Sequence, residues 1–273
     1  MGYEAVKQLA ALKNCYNTTV FDLKTKQSEK LLSPFQDDIN IVYGDITNKQ
    51  NVCKAVQNTN VVIHLAALIP PVADEKPDLA EKINVGGTRN LIECLEEYAT
   101  QAFFMYSSSI SIYGDRIENP WISVGDPLKP SVGDEYAKTK IKCEQLIQQS
   151  KLNWTIFRLA AIMGKHKISK LMFHMPLNTP MEIATTADTA RAFVSGIEKK
   201  TELSKQIFNL GGGSQCRILY KDFLQKAFEI NGLGKLDFPE GTFAKQNFHC
   251  GYYMDGDDLI YYPHFFRPLL VIS

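Results

Sequence analysis

Asn60-Val61-Val62-Ile63-His64-Leu65 is a short, almost continuous apolar run, and it constrains the fold more than any other segment. A strand-length stretch without polar alternation has both faces covered, as strands of a parallel sheet between two helical layers do. Similar short runs recur along the chain at Thr18–Leu23, Asn40–Asp45, Ala102–Ser107, Asn153–Arg158 and Gln206–Leu210. Between them lie segments of helical period. Residues 3–13 place Val6, Leu9, Ala10 and Lys13 on one face, and further helices are predicted near 48–58, 77–99, 136–149, 187–198 and 219–231. Strands alternating with helices of ten or more residues predict an α/β fold, a doubly wound, Rossmann-like parallel sheet with right-handed crossovers. After Gly164 the pattern loosens. Residues 1–164 are therefore expected to form a nucleotide-binding domain, and 165–273 a smaller C-terminal substrate lobe interleaved with it. No internal repeat or low-complexity linker interrupts the 273 residues. The last fourteen residues, IYYPHFFRPLLVIS, read as a packed tail or an interface segment.

Charge excludes whole classes of partner. Thirty basic residues balance thirty acidic ones, so no net field attracts nucleic acid or an anionic membrane. No apolar run approaches the ~20 residues that cross a bilayer, and the N-terminus lacks the basic and apolar regions of a secretory signal. Six cysteines, at 15, 53, 94, 143, 216 and 250, form no CxxC pair and have no histidine at zinc-ligand spacing. Reduced thiols in a cytoplasmic protein, no metal site, a small-molecule substrate and a homodimer are the expectation.

Chemistry enters with Tyr136-Ala-Lys-Thr-Lys140 and the upstream cluster Ser107-Ser108-Ser109. Tyr136 and Lys140, four residues apart, share one helix face. An ammonium near a phenol favours the phenolate, and a serine hydroxyl from a neighbouring strand can hold a substrate oxygen beside it. That is apparatus for oxidising an alcohol or reducing a ketone against a nicotinamide. Alone, the Tyr–Lys spacing is weak, because a core tyrosine beside a solvated lysine gives the same pattern. Its weight comes from an ordered series of companions. Asp22 and Asp45 fall at the carboxyl ends of two strands, where parallel sheets bind nucleotides. An acid after the strand at 18–23 accepts hydrogen bonds from an adenosine ribose and repels a 2′-phosphate, which favours NAD over NADP. The small residues of His64-Leu65-Ala66-Ala67 allow close backbone approach to a dinucleotide, whereas His64 itself reads as a structural histidine. Asn84 reads as a residue that ties neighbouring backbone groups together. Gly211-Gly212-Gly213 follows a strand, but no lysine or second glycine spacing completes a phosphate loop, so it reads as a turn.

In order and spacing, VFDL at 20–23, YGDITN at 43–48, HLAA at 64–67, NVGGT at 84–88, SSSISIYG at 107–114, YAKTK at 136–140 and RLAAIMG at 158–164 resemble the extended branch of the short-chain dehydrogenase/reductase family, the NAD-dependent epimerase/dehydratase group. The resemblance covers most of residues 2–215. It implies Ser109 as the catalytic hydroxyl, with Ser108 its neighbour, Tyr136 as acid/base, and Lys140 on the nicotinamide ribose while lowering the tyrosine's pKa. It further implies Gly2 at the phosphate turn, Asp22 on the adenosine ribose, Asp45 and Ile46 on the adenine, and Leu65, Ala66 and Ala67 along the middle of the cofactor.

Departures from the family pattern matter as much. The family opens on a strand and a Gly-x-x-Gly-x-x-Gly turn, of which only Gly2 has a counterpart here. The expected central strand and two phosphate-turn glycines are missing, so a truncated start or a crippled homologue is expected. Leu159 stands where members usually carry proline. Ile110-Ser111 follow Ser109 where sugar dehydratases usually carry an Asp-Glu pair, and the stretch between Gly164 and Asp188 is short. The resemblance therefore implies an NAD-dependent epimerase or a simple alcohol dehydrogenase, including the steroid-dehydrogenase-like relatives, on a sugar-nucleotide-like or other small alcohol. A catalytically silent NAD-binding or scaffold homologue is the alternative.

Overall fold

The computed structural model describes residues 1–164 and 170–256. Eleven strands are present among them: β1 Thr19–Asp22, β2 Asn40–Tyr43, β3 Val61–His64, β4 Phe103–Ser109, β5 Trp121–Ile122, β6 Asn153–Leu159, β7 Ala161–Met163, β8 Pro180–Thr185, β9 Gln206–Leu210, β10 Arg217–Leu219 and β11 Tyr252–Tyr253. The helices are α1 Gly2–Ala10, α2 Lys26–Leu32, α3 Lys49–Ala55, α4 Val72–Glu75, α5 Pro77–Ala80, α6 Gly87–Tyr98, α7 Glu135–Gln149, α8 Thr186–Gly196, α9 Lys200–Leu203 and α10 Tyr220–Ile230. The helix expected over 77–99 is interrupted by a π-helical turn at Glu81–Gly86, between α5 and α6.

The fold is a parallel α/β sheet flanked by helices. Strands β3, β4, β6 and β9 form a four-stranded parallel sheet in the order β3-β4-β6-β9, and β1 pairs in parallel with β2. Side chains alternate across β4 and β6, and both faces are buried. Phe104, Tyr106, Trp154 and Ile156 pack with Leu91, Ile92 and Leu95 of α6 and Ile147 of α7. Phe103, Met105, Phe157 and Leu159 point the other way, to Ala192 and Phe193 of α8. Phe157 meets Phe193 edge-on, with centroids 5.0 Å apart, a favourable aromatic geometry. β9 joins the main sheet after α8 and α9. The other strands form the sheet β10-β8-β7 and the pair β11-β5, each joining an earlier strand to later ones.

Among the described residues β1 hydrogen-bonds only to β2, and β3 only to β4. The doubly wound order expected from the sequence puts a strand between them, and no described strand lies there. The side chains of β3 are correspondingly less covered: Val61, Val62 and Ile63 are half-buried, while six of the seven residues of β4 are buried. The two sheets still share a core, since Phe21 of β1 packs into the same cluster as Val62 of β3.

Two readings made from sequence change. Cys53 and Cys94, expected as free thiols, form a disulfide with their Cα atoms 4.9 Å apart. Packing of α3 against α6 brings together residues 41 positions apart, a proximity that cysteine spacing alone does not carry. Two short elements, β7 and β8, are not among the strands expected from the sequence; they pair in parallel. The aromatic tail at 260–273 lies outside the described residues.

Gly211-Gly212-Gly213 is a turn, and the packing around it says why it is glycine. A Cβ on Gly211 would strike the Glu182 carboxylate, and one on Gly212 the Ile183 carbonyl oxygen and the Cys216 side chain. Gly213 has φ +83°, a conformation that side chains other than glycine's rarely tolerate. Glu182 is buried. It accepts hydrogen bonds from the Gly213 amide at 3.1 Å and the Tyr253 amide at 3.1 Å, and pairs with Arg217 at 3.0 Å. Gly212→Ala should destabilise the protein by about 1–3 kcal/mol, the usual size of an overpacking penalty. Urea unfolding measures this, and an unchanged midpoint would show that the turn has slack.

Candidate active site

Ser109 ends β4 at the carboxyl edge of the main sheet, and its Oγ accepts a hydrogen bond from Ser111 N at 3.2 Å. Ser109 is half-buried and Ser108 is buried, so only the former is open to the cleft. Helix α7 crosses this edge and carries Tyr136 in its first turn and Lys140 one turn later. The helix starts here because Asp134 caps it: Asp134 Oδ1 accepts from Ala137 N at 2.8 Å, satisfying an otherwise orphaned amide. Asp74 of α4 accepts from Tyr136 N at 3.0 Å, a second anchor on the same turn.

Lys140 is buried and held on the sheet side. Its Nζ donates to Ser107 O at 2.6 Å and lies over the rings of Tyr106 and Tyr136, 4.7 and 5.5 Å from their centroids. Burial pushes its pKa down to about 8, with Cys143 and Glu144 opposing the shift. The Tyr136 phenol is raised well above its ordinary value, by loss of water and by the Asp134 charge; a hydrogen bond with Ser109 opposes this. The structure thus brings Ser109, Tyr136 and Lys140 together. The lowered phenol pKa expected from the Tyr–Lys spacing is not found, because desolvation and the Asp134 charge raise it.

Other expected residues take their places around the same edge. Asp22 is the last residue of β1, exposed, with Oδ1 accepting from Leu23 N at 2.7 Å. Asp45 lies two residues beyond β2 and accepts from Thr47 N at 2.8 Å. The Ile46 side chain packs toward Gly87, and its carbonyl accepts from Asn90 Nδ2 at 2.9 Å. Leu65, Ala66 and Ala67 form the loop after β3, with Ala66 exposed. Gly2 opens α1, and a Cβ built there meets no protein atom within 4 Å, so the fold itself does not demand the glycine. His64 is buried, with Nε2 3.0 Å from Thr88 Oγ1, and burial together with the Lys140 charge lowers its pKa to about 3. It is neutral and structural, as expected. Asn84 bonds both Leu68 N and Leu68 O, at 2.7 and 3.0 Å, and reaches Thr139 of α7 at 3.0 Å, the tying role read from sequence.

Sequence reasoning missed several residues that build the site. Asp134 carried a legible signal, an acid just before a helical segment. Asp74 did not, being 62 positions from its partner. Nor did the buried pair Arg158–Glu144, with Nη2–Oε2 2.8 Å and Nε–Oε1 3.1 Å, which bolts α7 to β6 while Arg158 Nη1 also donates to Tyr113 Oη at 2.7 Å. A cavity of about 460 Å³ is walled by Leu177, Leu236, Phe238 and Phe243, and none of the expected site residues lines it. No helix among the described residues is long and apolar enough to cross a membrane.

With this geometry in place, comparison with known proteins gives the family. Residues 1–159 match the model of the 3-beta hydroxysteroid dehydrogenase/isomerase family. The chain belongs to that family. This accords with the resemblance to the extended short-chain dehydrogenases. Mouse 3 beta-hydroxysteroid dehydrogenase type 7 is 28% identical over 134 residues, covering 48% of this chain and 36% of the mouse enzyme. Human sterol-4-alpha-carboxylate 3-dehydrogenase, decarboxylating, is 29% identical over 148 residues, 54% of this chain and 36% of the human enzyme. The matched segment thus spans little more than a third of these relatives. Among solved structures, a Streptomyces venezuelae dTDP-glucose 4,6-dehydratase with NAD bound superposes with TM-score 0.77 at 19% identity, over 98% of this chain and 88% of that one. A Thermus thermophilus UDP-glucose 4-epimerase in complex with NAD gives TM-score 0.76 at 19% identity, over 98% and 90%. At that identity they share the doubly wound fold of this family member.

The buried lysine leaves a signature in stability. Its pKa is lower folded than unfolded, so the charged lysine disfavours folding below pH 8, and the penalty disappears between pH 8 and about 10.5 as the unfolded lysine also discharges. The stability of wild type relative to Lys140→Met should rise across that window. Chemical denaturation at several pH values checks this, and a flat or falling difference would contradict the burial.

Proposed function

We propose that this chain is an NAD-dependent dehydrogenase that oxidises a secondary alcohol, the 3β-hydroxyl of a steroid or sterol, at Ser109, Tyr136 and Lys140. The observation that carries this reading is the meeting of these three side chains where β4 ends and α7 begins, in a member of the 3-beta hydroxysteroid dehydrogenase/isomerase family. The curated relatives act, by their names, on a 3-beta-hydroxysteroid and on a sterol carboxylate, which favours a steroid alcohol over the sugar-nucleotide epimerisation that the fold also accommodates.

The residues fit a dinucleotide. Asp22, exposed at the carboxyl end of β1, suits an adenosine ribose; Asp45 and Ile46 suit the adenine; Leu65, Ala66 and Ala67 suit the middle of the cofactor. Open space at Gly2, at the N-terminus of α1, suits a phosphate approaching backbone amides. Lys140 suits the nicotinamide ribose. NAD, when bound, supplies the hydride acceptor. The chain's own part is proton handling and alignment: Ser109 Oγ holds the substrate oxygen, Tyr136 takes the hydroxyl proton, and the Lys140 ammonium supports the phenolate formed beforehand. The carbon–hydrogen bond breaks as a hydride leaves, and the carbon–oxygen bond becomes a carbonyl.

A second reading has one observation behind it. The main sheet is divided between β1 and β3, beside the end of α1 where a pyrophosphate would sit. That arrangement suits an NAD-binding or scaffold homologue with little turnover. The two readings differ in a direct assay of NADH formation with a 3β-hydroxysteroid such as pregnenolone. Under the dehydrogenase reading Tyr136→Phe loses a factor of about 10²–10⁴ in kcat, the range of an acid/base contribution, and keeps its NAD affinity. Comparable turnover by this variant removes Tyr136 from the role, and absence of turnover in the wild type favours the scaffold. Calorimetric titration should show NAD binding tighter than NADP, with Asp22→Ala narrowing the gap; tighter NADP binding would contradict the ribose assignment.

A further inference from the structure

One side chain of the C-terminal lobe reaches the turn that carries Tyr136. His249 Nδ1 lies 2.6 Å from Asp134 Oδ2, the carboxylate oxygen left over after Asp134 Oδ1 has capped α7. The Asp134 side chain is only 6% exposed and that of His249 24%. Among the described residues Oδ2 is buried and accepts no well-aligned hydrogen bond, and this imidazole, at ion-pair distance, is the polar group that lies against it. The segment bearing His249 is itself held firmly. Asp115 and His249 form an antiparallel bridge, and Asn247 exchanges hydrogen bonds with Val132 N and O at 2.8 and 2.9 Å. Asn247 N also donates to Asp115 Oδ2, and the Phe248 ring stacks on the imidazole with centroids 4.8 Å apart.

Resting on the reading of Tyr136 as the proton-exchanging group, we propose that His249 is a positioning residue: by pinning Asp134, it fixes the first turn of α7 and thereby the phenol's place beside Ser109. The neighbouring charges do not substitute for it. Asp74 holds the Tyr136 amide and carries the same sign as Asp134, Glu135 pairs with Lys138 on the exposed side, and the Asp115 carboxylate accepts from backbone amides. Position matters doubly here, because the Asp134 charge also acts on the phenol. The docking of the C-terminal lobe and the placement of the proton-transfer group are thus one coupled arrangement, through a contact 115 residues apart in sequence.

Hydrogen–deuterium exchange on the full chain tests this without any substrate. In His249→Ala the peptide covering 134–140 should exchange roughly five- to tenfold faster, the ratio that loss of a helix cap produces, while the last turn of α7 keeps its wild-type rate. His249→Asn, whose amide nitrogen can stand in for Nδ1, should restore protection, and His249→Gln, one carbon longer, should not. With NAD and pregnenolone, His249→Ala should lose about tenfold in kcat from misplacement of the phenol, with NAD affinity unchanged and recovery in His249→Asn. Unchanged exchange over 134–140 in His249→Ala, or an Asn variant no better than the Gln variant, overturns the proposal. If wild type forms no NADH with the probe, the dehydrogenase reading fails, and the exchange contrast still decides whether His249 positions the turn. Should the Ala variant fail to fold, the Asn–Gln contrast alone decides it.

Discussion

The hydrogen bond from Lys140 Nζ to the Ser107 carbonyl, 2.6 Å long and buried, is the contact on which the site depends. It joins the middle of α7 to the end of β4, the two elements that carry the tyrosine and the serine. An ammonium removed from water needs compensation, and here a carbonyl oxygen and the faces of two tyrosine rings provide it. Compensation is incomplete, which is why burial pulls the lysine's pKa to about 8. At neutral pH the group still carries its charge, beside the ring of Tyr136. Around this contact the helix is bolted at further points: Asp134 and Asp74 at its start, Asn84 to Thr139 in its second turn, and Glu144 to Arg158 beyond. Buried pairs of this kind add little net stability but are costly to break from one side, so they fix geometry.

The raised phenol is informative about when chemistry can occur. In the protein alone, burial and the Asp134 charge keep Tyr136 protonated, and the Ser109 hydrogen bond offsets only part of that. Under the proposed reading, a phenolate would form only with added positive charge beside Tyr136, which the oxidised nicotinamide of the proposed cofactor would bring.

Much of this was legible in the sequence because it is local or periodic. The apolar run at 60–65 and its companions gave the parallel strands, and the four-residue spacing of Tyr136 and Lys140 survives as neighbours on one helix face. Gly211–Gly213 was read as a turn and is one, packed against the Glu182 carboxylate. What escaped depends on contacts between distant segments. Cys53 and Cys94 meet only because α3 packs on α6, and Asp74, Arg158 and His249 reach the α7 region from elements that no periodicity connects to it. The phenol's direction of shift was missed for a related reason: spacing shows a nearby charge but not the loss of water that opposes it.

The most direct measurement of the central claim is transfer of label from substrate to cofactor. With pregnenolone deuterated at C3 and NAD, single-turnover mixing followed by mass spectrometry of the nucleotide should find deuterium on the reduced nicotinamide, in an amount equal to the ketone formed. Reduced nucleotide without the label, or ketone without reduced nucleotide, would contradict a hydride-transferring site built on Ser109, Tyr136 and Lys140.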